Sequence, residues 1–181
     1  MALSSLRAGA SPEQALGALL REDPGKDHRQ VHVVSCNGRA AAHTGLSCLA
    51  WAGHRLGDGF SLAGNMLAGP EVLERTAATY LEQGQMPLAQ RLILAMQAGK
   101  AAGGDRRGKQ SAAILIFEKD EWSSLDIRVD DHANPLSELA RLVSRMEWVR
   151  YRPFVPTRAN PAGVVDHDVI DAAVGAPMQE V

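Results

Sequence analysis

The sequence predicts an α+β fold in which helices cover antiparallel strands, and two observations lead to this prediction. Predicted strands come in hairpins and predicted helices in blocks, whereas a doubly wound parallel fold would alternate the two. The segment Ala112–Phe117 is apolar without alternation, which predicts a central strand buried on both faces. Buried sheets with helices outside them are typical of a layered sandwich.

Two helices are predicted at the start of the chain. Leu3–Arg7 has helical character, and Gly9 just beyond it is a C-terminal stop. Ser11-Pro12-Glu13-Gln14 predicts a second helix, because an N-cap Ser is followed by Pro at the first position and Gln at the capping-box site. Asp23-Pro24-Gly25 ends this helix.

Strand signals follow. Gln30–Ser35 is rich in valine, and Asn37-Gly38 is the typical sequence of a two-residue hairpin turn into a partner strand at Arg39–Thr44. The glycine-rich segment Gly45–Phe60 is predicted to be looser, and Phe60–Met66 is predicted to be another strand.

Three further prolines mark helix starts. Pro70 and Pro87 each open a helix, and Pro135 opens a third after a strand at Leu125–Val129. That strand is predicted to pair with Ala112–Phe117. We therefore assign residues 1–150 to one domain and residues 151–181 to a proline-rich C-terminal extension with a short helix.

The composition limits the classes of partner. A formal net charge of −2 on 181 residues argues against a nucleic-acid-binding surface. No apolar run approaches the roughly 20 residues of a membrane helix, and the start lacks the regions of a signal peptide, so we predict a cytoplasmic protein without a membrane partner. The histidine and cysteine spacings match no metal motif, so we predict neither a metal site nor a cofactor.

The loop Gly103–Ser111 is the main candidate for a binding site. It places glycines, cations, an amide and a hydroxyl between a helix and a buried strand. In the functional interpretation Arg106 or Arg107 clamps a carboxylate, and backbone N–H groups of the glycines bind the anion. In the structural interpretation Asp105 pairs with an arginine to hold the loop. The candidate substrate-binding residues are Asn65, Gly104, Asp105, Arg106, Arg107, Gln110 and Ser111.

Other candidates carry two interpretations each. Asn65 is suited either to donate its amide to an oxyanion or to satisfy backbone groups at a helix entry. Asp130 and Asp131 provide either a carboxylate that orients a base or a polar strand-to-helix loop. His43 and Thr44 are adjacent on a strand and point to opposite faces, so a supporting structural role is favoured for them.

Several motifs in the same order resemble a known family. They are Ser11-Pro12-Glu13-Gln14-Ala15-Leu16, Arg29-Gln30-Val31, Asn37-Gly38-Arg39, His43-Thr44-Gly45, Trp51-Ala52-Gly53-His54, Gly64-Asn65-Met66-Leu67, Gly103-Gly104-Asp105-Arg106-Arg107-Gly108-Lys109-Gln110-Ser111-Ala112 and Arg128-Val129-Asp130-Asp131-His132. Together they resemble the bacterial domain-of-unknown-function family 1028, which is placed with the N-terminal-nucleophile (Ntn) hydrolases.

The resemblance implies a four-layer αββα sandwich and an ancestry among amide-bond hydrolases. In that superfamily the first residue of the mature chain is the nucleophile, and its own α-amine is the general base. Family members begin with a strand pair that carries a hydroxyl residue, and this chain lacks that pair. Removal of Met1 would expose Ala2, which has no nucleophile, so the chain is expected to be N-terminally shortened and its catalytic residues are unassigned.

Two functional hypotheses follow. In the first, the protein is a relative of amide hydrolases that binds a small anionic metabolite with the loop Asp105–Ser111 and Asn65. In the second, it is a non-catalytic binding or assembly module that retains the sandwich. Because the missing strands would expose sheet edges, a homo-oligomer is also expected.

Overall fold

A computed structural model describes residues 2–119 and 121–146. The elements are helices α1 (Ala2–Arg7), α2 (Pro12–Glu22), α3 (Glu71–Glu82), α4 (Leu88–Ala101) and α5 (Pro135–Met146), and strands β1 (Gln30–Val34), β2 (Ala40–Thr44), β3 (Gly53–Gly57), β4 (Phe60–Gly64), β5 (Ala112–Phe117) and β6 (Ser123–Val129). The predicted α+β class with antiparallel strands is confirmed. The extension at 151–181, its helix and the domain boundary at residue 150 lie outside the described residues and stay predictions.

The chain divides into two compact units. Of the described residues, the first unit contains those up to Met86 together with Leu94–Gly108, and the second contains Pro87–Ile93 together with those from Lys109 onwards. Each ladder of the described residues has two antiparallel strands, which pair as β1–β2, β3–β4 and β5–β6.

The start of α2 forms as its sequence predicts. The Ser11 hydroxyl accepts a hydrogen bond from the Gln14 backbone N–H at 3.2 Å, and the Gln14 side chain accepts one from the Ser11 N–H at 2.9 Å. This reciprocal pair satisfies N–H groups that the first turn leaves without helical partners. Ala15 and Leu16, in the next turn, are buried on the inner face of the helix.

The β1–β2 hairpin exists, but the predicted two-residue turn is wrong. The Ser35 N–H donates to the Arg39 carbonyl, so three residues lie between them, and the pairing places Val34 opposite Ala40. Gly38 takes a positive φ of 85°, whereas Asn37 does not take a positive φ. A type I′ turn needs positive φ at both central residues, and a three-residue loop needs it only at the last.

The segment that was predicted to be loose contains β3, which pairs with β4. The β3–β4 hairpin lies against the β1–β2 hairpin, with β1 beside β4 and β2 beside β3. Each hairpin also contacts a helix, since α2 packs on β1 and β2 and α3 packs on β3 and β4.

Helices α3 and α4 approach each other closely at Gly99. A Cβ at this position would overlap the hydroxyl of the buried Thr76 and would lie 3.2 Å from the Val72 carbonyl. The Thr76 hydroxyl itself donates to the Val72 carbonyl at 2.7 Å. Only glycine fits at this crossing without displacing buried polar groups.

The second unit has a core between the β5–β6 hairpin and helical residues. Its buried members are Ala89, Ile93, Ile114, Val129, Leu139 and Val143. The prediction that Ala112–Phe117 is buried on both faces is wrong, because Ile114 is buried while Leu115 and Phe117 are 53% and 57% exposed. Burial alternates along this strand, but the sequence does not show it because both faces carry apolar side chains.

Candidate functional site

The first part of the Gly103–Ser111 loop is attached by a short antiparallel ladder to the segment after β4. Leu67 and Asp105 form an antiparallel bridge. The Arg106 N–H donates to the Met66 carbonyl at 2.8 Å, and the Ala68 N–H donates to the Gly104 carbonyl at 2.9 Å. The Gly108 N–H donates to the Asp105 carbonyl at 3.0 Å, so Arg106 and Arg107 lie in a turn directly after the bridge.

The same segment is fixed from its other side. The Met66 and Leu67 N–H groups donate to the carbonyls of Leu49 and Trp51, at 3.1 and 3.0 Å. The Arg106 guanidinium spans the segment and donates from Nη2 to the Ala50 carbonyl. Three stretches that are distant in the sequence are thus joined through backbone groups.

The two glycines that open the loop allow this close approach. Gly103 and Gly104 have positive φ values of 118° and 59°. A Cβ at Gly103 would lie 2.5 Å from that of Ala68. The Gly104 N–H also donates to the Gly99 carbonyl at 3.1 Å, so the reversal ends α4 and begins the ladder.

Asp105 and Arg107 form an ion pair within the loop. Asp105 Oδ1 accepts from the backbone N–H and Nε of Arg107, at 2.8 and 3.0 Å, and its Oδ2 accepts from Nη2 at 2.6 Å. These hydrogen bonds from Arg107 hold the pKa of Asp105 at about 2, below the ordinary 3.8. The Arg107 side chain remains 64% exposed.

Asn65 belongs to a polar network that connects the two hairpins. Its Nδ2 donates to Oε1 of Gln30 at 3.1 Å. The Gln30 Nε2 donates to the carbonyls of Gly53 and Gly64, at 3.0 and 2.9 Å, and lies 3.2 Å from the Thr44 hydroxyl. The orientation of the Asn65 amide is therefore set by Gln30.

His43 and Thr44 point to opposite faces of β2. The Thr44 hydroxyl shares a hydrogen bond of 2.9 Å with Nδ1 of His54, whereas Nε2 of His43 lies 3.0 Å from the Lys26 carbonyl. The hydroxyl–imidazole pair of this hairpin is thus Thr44 with His54 rather than with its neighbour in the sequence.

The remaining candidates belong to the second unit. The Gln110 carbonyl accepts from the His132 N–H at 2.9 Å, and Asp130 forms an exposed ion pair with Arg128 at 3.2 Å. Ser111 and Asp131 are exposed. The structure therefore collects Asn65 and Gly104–Arg107 in the first unit, and Gln110, Ser111, Asp130 and Asp131 lie in the second.

Comparison with known proteins identifies the family. Residues 1–139 match the model of a family of unknown function, DUF1028. The chain belongs to the DUF1028 family. A crystal structure assigned to DUF1028, protein SPO2555 from Silicibacter pomeroyi, is 28% identical with a TM-score of 0.81, and the match covers 91% of this chain and 72% of that one. No curated protein matches the chain.

In this DUF1028 chain, Gln30 and His54 are not among the site residues predicted from the sequence. Gln30 faces Thr44 in the β1–β2 register, so a correct turn length would have paired them. His54 lies in β3, in the segment that was predicted to be loose. Among the residues that the structure describes, no group of His, Cys, Asp or Glu is arranged to hold a metal ion. In that same part of the chain, no helix has the length and apolar character to cross a membrane.

Proposed function

We propose that this DUF1028 protein binds a small anionic metabolite through Arg106, Arg107 and Asn65, on a scaffold related to the Ntn amide hydrolases. The observation that carries the proposal is the Leu67–Asp105 bridge, which attaches the turn containing Arg106 and Arg107 to the segment that begins at Asn65. A fixed segment binds a small ligand at low entropic cost.

The charge of the loop favours an anion. Asp105, Arg106 and Arg107 together carry one net positive charge, and both guanidinium groups belong to exposed residues. A guanidinium has five N–H donors, so the bond to the Ala50 carbonyl positions Arg106 and retains donors for a carboxylate or phosphate. Because the whole protein has a net charge of −2, this local charge suits a small anion better than a nucleic acid.

Calorimetric titration with a panel of small carboxylates and phosphates tests the proposal. We expect Arg106→Ala to weaken binding of the best ligand by about 10-fold or more, with Arg106→Lys intermediate because the charge remains without the planar fork. Arg55→Ala, at an exposed arginine of β3, is the matched control. No binding by any member of the panel, or equal affinity in Arg106→Ala, would contradict the proposal.

A non-catalytic binding or assembly module is the second candidate, and the internal contacts of the loop favour it. Asp105 is engaged by Arg107, and Arg106 donates to Ala50, so these charges also hold the loop. This candidate predicts that Arg106→Ala lowers the melting temperature while the anion panel has no effect on wild type. Hydrolysis of any substrate in a panel of amides would count against this candidate.

A further inference from the structure

The outer face of the β5–β6 hairpin is an exposed surface that the proposed anion site does not use. This outer face consists of alternate residues of the two strands: Ala113, Leu115, Phe117, Ser124, Asp126 and Arg128. Leu115 and Phe117 are more than half exposed, and Trp122 in the connecting turn is 49% exposed. Adjacent large apolar side chains at this exposure mark an interaction surface.

The opposite face of the same hairpin is already occupied. Ala112, Ile114 and Ile116 point inward with Val129 and contribute to the core of the second unit. A further partner must therefore approach from the outer face or from a strand edge. In the described structure the ladder has only two strands, and such a ladder gains stability when a second layer covers it.

We propose that the outer face binds the outer face of a second copy of this chain. The charges of this face are complementary to each other, because Asp126 and Arg128 have opposite sign and are separated by one residue. Consider a two-fold axis that lies between the two faces and runs perpendicular to the strands at the level of the Ile114–Ile127 pair. Rotation about this axis places position 126 of one copy opposite position 128 of the other. Asp126 of each copy then faces Arg128 of the other, and Arg128, whose Nε pairs with Asp130 of its own chain at 3.2 Å, has further N–H donors for this contact.

The same axis also matches the apolar side chains in size. It places Leu115 of each copy over Ala113 of the other, so that a large side chain meets a small one. Large-against-small pairing is what close packing between two sheets requires. The interface is isologous, so one set of contacts is made twice.

The size of the surface sets the expected affinity. A hairpin of six or seven residues per strand covers less area than the roughly 1,200 Å² of standard interfaces, so the dimer is weak. We expect a dissociation constant on the order of 10 μM, which corresponds to a transient contact. Sedimentation velocity of the full chain from about 1 to 500 μM covers this range.

Leu115→Lys and Phe117→Lys are each expected to shift the protein to monomer throughout this range. Leu46→Lys is the matched control, because Leu46 is 95% exposed in the first unit, and we expect wild-type association from it. Circular dichroism verifies that each variant is folded. A wild-type protein that is monomeric at the highest concentration, or a dimer that persists in Leu115→Lys, overturns the proposal.

Charge exchange tests the register independently. Asp126→Arg and Arg128→Asp should each weaken the dimer by about 10-fold, and the double variant should restore association. Pairing through a strand edge would leave association unchanged in all three variants, and this result would overturn the face-to-face arrangement. Failure of the double variant to recover would overturn the proposed two-fold register.

Discussion

The Thr44 hydroxyl lies 2.9 Å from Nδ1 of His54, although the two residues belong to different hairpins. A second bond of the same kind joins Nδ1 of His32 to the Ser61 hydroxyl at 2.9 Å. With Gln30, these contacts make the surface between the two hairpins unusually polar. The hairpins are therefore aligned by directional hydrogen bonds, which fix one register more strictly than apolar contacts do.

Thr44→Val should destabilise the protein by about 1 kcal/mol, because it replaces the hydroxyl with a methyl group of similar size and removes the bonds to Gln30 and His54. Urea unfolding followed by circular dichroism measures this change. Thr44→Ser keeps the hydroxyl and should retain most of the stability. Wild-type stability in Thr44→Val would contradict a stabilising role of these hydrogen bonds.

Gly99→Ala should destabilise the protein by about 2 kcal/mol, since the new methyl group would overlap the Thr76 hydroxyl. Gly17→Ala is the matched control in α2, where the nearest atom is an Arg21 side-chain nitrogen at 3.5 Å. There we expect stabilisation by about 0.5–1 kcal/mol. Thermal or urea unfolding distinguishes the two signs, and Thr76→Ala should partly rescue Gly99→Ala. A stabilising Gly99→Ala would refute the close crossing.

Asp105 should contribute to stability in a pH-dependent way. Its pKa is about 2 in the folded protein, below that of the unfolded chain, so its contribution is complete above about pH 4 and disappears as the pH falls through 2. The difference in stability between wild type and Asp105→Asn should therefore shrink over this interval. Because Arg107 is exposed, we expect a difference of at most about 1 kcal/mol at neutral pH.

Unfolding at a series of pH values measures this difference. Asp58→Asn, in the β3–β4 turn, is the matched control, because Asp and Asn suit a turn equally well. A difference for Asp105→Asn that stays constant from pH 6 to 2 would exclude the ion pair as its cause.

Ser11→Ala should reduce stability by about 1 kcal/mol through loss of the α2 cap. Ser11→Asp is the control, because an aspartate at the N-cap accepts the same backbone N–H and interacts favourably with the helix dipole. Hydrogen exchange of the first turn of α2 localises the effect. Uniform acceleration of exchange throughout the first unit in both variants would contradict a role confined to the cap.

Patterns of residues adjacent in the sequence predicted the helix starts correctly. The cap at Ser11 and the helix starts at Pro70, Pro87 and Pro135 follow from the local chemistry of N–H groups and fixed φ, and all four are present. Strand β3 was missed because Gly-His-Arg-Leu-Gly has little strand propensity, and it forms through pairing with β4.

The candidate site was only partly accessible from the sequence. The composition of the loop at Gly103–Arg107 indicates a candidate site. Its attachment to Leu67 depends on a pairing that no local sequence pattern predicts. Similarly, the exposure of Leu115 and Phe117 depends on what lies opposite them, and an apolar strand has the same sequence whether one or both faces are covered.

The Leu67–Asp105 bridge encloses both α3 and α4 in one loop of chain. Closing so long a loop costs conformational entropy. The few hydrogen bonds of the ladder offset this cost only after the helices are packed. We therefore expect the helices to form early in folding and the ladder to close late. Substitutions at the ladder should then accelerate unfolding and leave the folding rate almost unchanged, so this attachment determines how long the native state persists once formed.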